Sequence, residues 1–167
     1  MAISRMQFLR GDVSGKHSPV RPPWALDENR FTEQCDRCGK CIDACPTHVI
    51  QAGRGGFPEI DFSRDECLFC GDCVDTCKPQ ALRKVEGQLP WTLKAVLDAQ
   101  ACIAFMGVEC RGCIDPCEPR AVRISFRPRG VGTPSIDSPA CTGCGACVRV
   151  CPAQAISMQP LSAKEMV

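Results

Sequence analysis

The stretch Cys35-Asp-Arg-Cys38-Gly-Lys-Cys41-Ile-Asp-Ala-Cys45-Pro46 decides how this chain folds. It places four cysteines at intervals of two, two and three residues, and a proline follows the last of them directly. At these intervals the first three thiols lie on one tight loop, whereas the fourth points away from that loop. A loop of this kind can wrap three corners of a compact polynuclear metal centre.

The same pattern recurs along the chain, whose sixteen cysteines form four groups of four. Two further groups keep the spacing of the first, which itself consists of Cys35, Cys38, Cys41 and Cys45. They are Cys67, Cys70, Cys73, Cys77 and Cys141, Cys144, Cys147, Cys151. The remaining group is stretched, with seven residues between its first two members: Cys102, Cys110, Cys113, Cys117. This spacing is typical of bacterial ferredoxins, so we predict four [4Fe–4S] clusters with all sixteen cysteines as ligands.

Zinc and disulfides are the alternatives for so many cysteines, and both fit the pattern poorly. Zinc takes four ligands in one tetrahedral site, usually from two separated pairs. Disulfide-rich domains are usually secreted. The N-terminal residues carry no apolar signal stretch, and Ser4-Arg5-Met6 lacks the second arginine of a twin-arginine signal. We therefore expect a cytoplasmic chain with reduced, metal-binding cysteines.

Composition agrees with metal-dependent folding. The chain of 167 residues has no Tyr, two Trp and seven Phe, which is little large apolar material for a core. Its formal charge is +1, but each oxidised cluster with its thiolates would add about −2. The basic residues are then counter-charges, so we expect no nucleic-acid partner. No run approaches the roughly 18 apolar residues of a membrane span.

The stretched group leaves one question open, because its first ligand comes from outside the loop. Cys102 could be a free thiol beside a three-ligand [3Fe–4S] site instead of a ligand. We predict a complete [4Fe–4S] site, since sixteen cysteines make four full sets.

Repeats outside the cysteines indicate how the groups pair. Pro58-Glu-Ile-Asp61 precedes the second group and Pro134-Ser-Ile-Asp137 precedes the fourth, each after a glycine-rich turn. Two tandem two-cluster ferredoxin domains of the α+β class, at 31–87 and 95–159, would explain this repeat. Residues 1–30 would form an N-terminal arm, in which Trp24 looks exposed and suited to docking a partner; a loosely ordered tail is the alternative.

In two-cluster ferredoxins the fourth cysteine of each run binds the neighbouring cluster. This crossover predicts four ligand sets: Cys35, Cys38, Cys41 and Cys77; Cys67, Cys70, Cys73 and Cys45; Cys102, Cys110, Cys113 and Cys151; Cys141, Cys144, Cys147 and Cys117. A nested arrangement, in which the first run pairs with the fourth, is the alternative.

Two local features repeat with the runs. Gly39, Gly71 and Gly145 each follow a second ligand, where a left-handed backbone suits glycine. Two small or apolar residues also stand four and five positions after each fourth cysteine: Val49-Ile50, Ala81-Leu82, Ala121-Val122 and Ala155-Ile156. We expect each pair to pack over a cluster from a short helix.

The chain resembles the NapF-type ferredoxins, the accessory iron–sulfur proteins of periplasmic nitrate reductase systems. The resemblance rests on Arg21-Pro-Pro-Trp24, the order of the four runs and the stretched segment Cys102–Cys113. It implies a cytoplasmic protein that contacts the precursor of the catalytic reductase subunit before export and helps to mature it. The arginine pair that some members carry near the start is Arg5-Met6 here.

Three functions are compatible with these residues. The first is an accessory maturation protein that delivers electrons or supports cluster assembly. The second is a general electron carrier or electron-wire subunit of a respiratory oxidoreductase, and the third is a structural iron–sulfur module. We expect no enzymatic activity and no catalytic residues, because the sequence has no nucleotide-binding glycine motif or nucleophile–base pair.

Overall fold

The computed structural model describes residues 19–126 and 130–161 of the chain. Residues 1–18, which make up most of the predicted N-terminal arm, lie outside the described part. The described residues combine short helices with short two-stranded sheets, as the α+β prediction requires. Every helix among them is too short or too polar to cross a membrane.

The helices begin beside the cysteine runs. In chain order they are α1 (Glu28–Gln34), α2 (Lys40–Asp43), α3 (Asp72–Asp75) and α4 (Ala146–Arg149). Helix α1 begins where the Asp27 side chain accepts the backbone N–H of Arg30 at 3.2 Å, a standard N-cap. The other three each begin after the glycine that follows a second cysteine.

The strands form three antiparallel pairs. They are β1 (Ile50–Ala52), β2 (Pro58–Ile60), β3 (Leu93–Leu97), β4 (Val122–Ser125), β5 (Thr133–Ile136) and β6 (Ile156–Pro160). β1 pairs with β2, β4 pairs with β5, and β3 pairs with β6. The strands predicted around Pro58 and Pro134 are confirmed, because both prolines lie in strands that pair with the strand before them.

The backbone divides into two compact units. Among the described residues, one comprises 19–61 and 69–90, and the other comprises 62–68, 91–126 and 130–161. The domain bounds predicted from the sequence, 1–30, 31–87 and 95–159, stay a prediction.

The first unit has its core around α1 and the segment before it. Phe31 and Val49 are 0% and 1% exposed, and Pro22 and Pro23 are fully buried as well. Trp24 is 8% exposed. The expectation of an exposed tryptophan is therefore wrong. The Arg-Pro-Pro-Trp segment packs into the unit because its prolines and tryptophan bury apolar surface in a chain with few large side chains.

Arg21 holds this core together from within. Its side chain is 9% exposed and donates two hydrogen bonds to the Glu28 carboxylate, at 2.9 and 2.8 Å. A second carboxylate, Glu59, lies 3.5 Å away. The guanidinium also lies over the rings of Phe31 and Phe57, at 5.1 and 5.5 Å from their centroids. Two carboxylates and two aromatic rings thus compensate one largely buried cation.

The apolar pairs that follow the fourth cysteines are buried, as expected, but none of them lies in a helix, and the second residue of three pairs begins a strand. Ile50, Val122 and Ile156 are the first residues of β1, β4 and β6. Leu82 instead forms an isolated bridge with Ala25. The predicted helix is wrong because the chain turns sharply after each fourth cysteine and leaves that turn extended.

Candidate metal centres

The first predicted ligand set lines one small pocket in the first unit. Its cysteines are Cys35, Cys38, Cys41 and Cys77. Three come from one loop and the fourth comes from the end of the following run, so the structure has the predicted crossover. Helices α2 and α3 pack together and bring the two runs to the same place.

The third set likewise lines a small pocket in the second unit. Its cysteines are Cys102, Cys110, Cys113 and Cys151. Cys102 faces the other three thiols, and this geometry favours a ligand over a free thiol.

The loop from Cys102 to Cys110 explains how an eight-residue step can still close this site. The backbone N–H of Cys102 binds the carbonyl of Asp98, and that of Phe105 binds the carbonyl of Cys102, both at 3.1 Å. Ala104 is 2% exposed and packs beside Cys102. The extra residues therefore coil outward and return, so that the two thiols at the ends of the loop stay close.

The fourth set is brought together around Cys147 in the second unit. Burial, with the charge of neighbouring thiolates, raises the pKa of the Cys147 thiol to about 12. Those neighbours are Cys144, Cys141 and Cys117. They are the three other members of the predicted set.

The remaining predicted ligands are Cys45, Cys67, Cys70 and Cys73. Cys45 and Cys73 are buried, Cys67 is half-buried and Cys70 is exposed. Their grouping around one cluster stays a prediction.

The thiol pKa values indicate that these sites need a positive charge to hold four thiolates together. Burial raises the pKa of Cys41 to about 12 and that of Cys113 to about 11, and repulsion from the other thiolates of each set contributes. Four thiolates therefore do not gather in such a cavity without a compensating cation. In the described residues no group of three or more His, Cys, Asp or Glu is placed to hold a single metal ion. A cubane core supplies the positive charge and separates the thiolates more widely than one ion with bonds of about 2.3 Å does.

Comparison with known proteins also indicates 4Fe-4S clusters. The 4Fe-4S dicluster domain matches residues 34–81 and again residues 107–155. The ferredoxin-type protein NapF of Haemophilus influenzae is 39% identical over 98% of this chain and 97% of its own length. NapF of Escherichia coli K12 is 41% identical over 96% of each chain.

The chain belongs to the NapF family of ferredoxin-type proteins.

The relationship extends beyond NapF itself. The methylamine utilization ferredoxin-type protein MauM of Methylobacillus flagellatus is 32% identical, over 86% of this chain and 68% of its own length. Cys102 lies outside the second domain match, which begins at residue 107. The placement of Cys102 in this NapF-family chain is therefore information from the tertiary structure.

A tight turn after each fourth cysteine was not foreseen from the sequence. Three residues after that cysteine the backbone is left-handed, with φ between 50° and 57° at His48, Gln80, Arg120 and Gln154. The N–H of each of these residues binds the carbonyl of its cysteine, at 2.9 to 3.1 Å. None of the four is glycine, so the sequence carried no signal for this conformation.

This turn aims backbone N–H groups at the fourth thiol. Leu82 donates its N–H to the sulfur of Cys77 at 3.4 Å, and Ala155 donates to Cys151 at 3.2 Å. At Cys45, burial raises the thiol pKa, but hydrogen bonds from Thr47 and from backbone N–H groups outweigh burial and lower it overall. N–H donors to cluster sulfurs are among the features that set reduction potentials.

The three predicted glycines have the expected left-handed backbone, with φ of 76°, 95° and 85° at Gly39, Gly71 and Gly145. A second left-handed residue stands two positions after the first ligand of the same runs: Arg37, Phe69 and Gly143. Paired turns of this kind direct successive N–H groups inward, as anion-binding nests do.

Two side chains from the start of β3 and just before it hold the fourth run, and sequence reasoning missed both. The indole N–H of Trp91 donates to the carbonyl of Thr142 at 3.3 Å. The ammonium of Lys94 donates to the carbonyl of the predicted ligand Cys141. From the sequence, an isolated lysine in a strand is expected to be exposed to solvent. Only the structure shows the contact between Lys94 and the carbonyl of Cys141.

Proposed function

We propose that this chain binds four [4Fe–4S] clusters and acts in the cytoplasm as an accessory protein of periplasmic nitrate reductase. Its target is the catalytic subunit precursor before export, to which it delivers electrons or supplies cluster assembly. It is not an enzyme, and its functional residues are the sixteen cysteines in the four crossover sets predicted from the sequence.

The proposal is supported by a NapF relative that aligns over 97% of its own length with this chain. In the structure, Cys102, Cys110 and Cys113 of the irregular third run also line one pocket together with Cys151. A bound cluster would store one electron at a time. The protein supplies the thiolates, the N–H donors to sulfur and the apolar residues that keep water from most of each site. Cys38 and Cys70 are exposed, which would let electrons reach or leave the edges of their clusters.

The cluster number is tested by anaerobic purification with iron and sulfide analysis and EPR of the reduced protein. We expect about sixteen irons per chain and magnetically interacting clusters. Cys102→Ala should lose the third cluster, or reduce it to a three-iron form, and Cys110→Ala should have the same effect. Full iron content in Cys102→Ala with an unchanged EPR spectrum would contradict the proposed role of Cys102.

The partner is tested by titrating the purified holoprotein with the reductase precursor and, in parallel, with the mature exported subunit. We expect binding to the precursor only. The metal-free chain is the matched control and should not bind.

A general electron carrier is the second candidate, and one observation favours it. A relative named for methylamine utilization shares 32% identity, so the same architecture serves more than one redox system. Stoichiometric electron delivery to a respiratory complex, without binding to the reductase precursor, would favour this candidate over the first.

A further inference from the structure

The fourth cysteine run lies in a more enclosed setting than the first. Gly143, Gly145 and Ala146 are buried, whereas Arg37 and Lys40 of the first run are exposed. Phe62 fills the space beside Gly145 and contacts Trp91 edge to face at 5.8 Å. Two aromatic side chains thus cover this loop and keep water from it.

Exclusion of water works against reduction at such a site. An oxidised cluster with four thiolates carries about −2, and the added electron makes it about −3. The more negative state relies more on solvation, so burial alone would disfavour the reduced cluster. A buried loop of this kind needs a fixed positive charge to remain reducible.

Lys94 is placed to supply that charge. It lies in β3, where pairing with Gln159 of β6 fixes its backbone. Its side chain is half-buried, and its ammonium donates to the carbonyl of Cys141. Because water is largely excluded around the loop, this charge is screened less than one on the surface.

Two other charged side chains near the run, Arg149 and Glu66, do not supply this positive charge. Arg149, the cation within the run, is 47% exposed and lies 3.6 Å from the carboxylate of Asp65. The negative charge of Glu66 acts on Cys144 and opposes reduction. Neither aspartate nor glutamate occurs between Cys141 and Cys151.

We propose that Lys94 is a positioning residue that raises the reduction potential of the cluster held by Cys141, Cys144, Cys147 and Cys117. The inference rests on the proposed function only in requiring that this cluster is bound. Lys94 contacts a ligand's carbonyl through an ion–dipole hydrogen bond, and its charge acts on the cluster through space. It makes this centre easier to reduce than its enclosed setting alone would allow.

The test is a potentiometric titration of the holoprotein, followed by EPR, for wild type and Lys94→Met. We expect one cluster to become harder to reduce by about tenfold in its reduction equilibrium, equivalent to about 59 mV, with the others unmoved. Lys94→Arg keeps the charge and should stay close to wild type. The matched control is Lys40→Met, an exposed lysine beside Cys41, which should shift its cluster by less than about threefold.

Iron content separates this proposal from the one on which it rests. A wild-type chain without the fourth cluster would refute the proposed cluster number. Full iron in Lys94→Met with every potential unchanged would refute the role of Lys94. An equal shift in Lys94→Arg would also refute it, because packing and not charge would then be the cause.

Discussion

Each fourth cysteine is followed, three residues later, by a residue held in the left-handed region of backbone space. The four occupants are His48, Gln80, Arg120 and Gln154, all with φ near 50°. An L-residue in this conformation costs about 1–2 kcal/mol. The turn is kept at every site because it directs the following N–H groups at the fourth thiol, as Leu82 and Ala155 show.

Substitution at Gln154 tests this turn at the residue scale, because its side chain is exposed and only the backbone should respond. We expect Gln154→Val to destabilise the holoprotein by about 1–2 kcal/mol, since a β-branched residue resists the left-handed region. Gln154→Asn should be close to neutral. The measurement is the guanidinium midpoint for loss of cluster absorbance under anaerobic conditions; equal midpoints for the two variants would contradict the interpretation.

Gly145 and Gly39 occupy the same place in their runs but have different surroundings. A Cβ on Gly145 would collide with the ring of Phe62, whereas a Cβ on Gly39 would meet no atom within 4 Å. We expect Gly145→Ala to lose the fourth cluster and Gly39→Ala to keep the first, at a backbone cost of about 1 kcal/mol. Iron analysis of the two purified variants decides this, and equal iron content would show that Phe62 moves aside.

At the scale of elements, the apolar pairs after the fourth cysteines show what a short pattern can and cannot predict. Their burial followed from their repetition, and all eight residues are at most 5% exposed. Their secondary structure did not, because two consecutive residues carry no helical or strand period. The strands form because partners distant in sequence complete them, as Leu97 does for Ile156.

Helix α1 and the segment before it depend on Arg21, which bridges Glu28 and Glu59 while covering two rings. We expect Arg21→Met to destabilise the first unit by about 3–5 kcal/mol, because it leaves carboxylates facing a largely buried site without their cation. Arg30→Ala is the control: its ion pair with Asp27 is 71% and 61% exposed and should matter by less than about 1 kcal/mol. Similar denaturation midpoints for both variants would mean that Glu28 and Glu59 find other compensation.

At the scale of the whole molecule, the thiols are expected to make folding depend on iron. Neighbouring thiolates repel one another, and several of the buried residues of the core are the cysteines themselves, namely Cys45, Cys73, Cys102 and Cys147. We expect the metal-free chain to be largely unfolded and to regain structure on cluster reconstitution, because ligation supplies folding free energy. Circular dichroism and thermal melting of the two forms test this; a cooperative melt of the metal-free chain would contradict it.

The cysteine spacing by itself predicted the class of protein, a fourth cysteine that crosses to another run, and the left-handed glycines. These follow from local chemistry, since four thiols at such intervals have few compact arrangements and glycine tolerates φ above zero.

Only the tertiary structure decided where Cys102 lies, that Trp24 is buried and that Lys94 reaches the carbonyl of Cys141. Each depends on residues far apart in the chain: Cys151 for Cys102, Pro90 for the backbone of Trp24, and the loop after β5 for Lys94. Local spacing cannot encode such contacts, because they exist only after the paired strands have brought distant segments together.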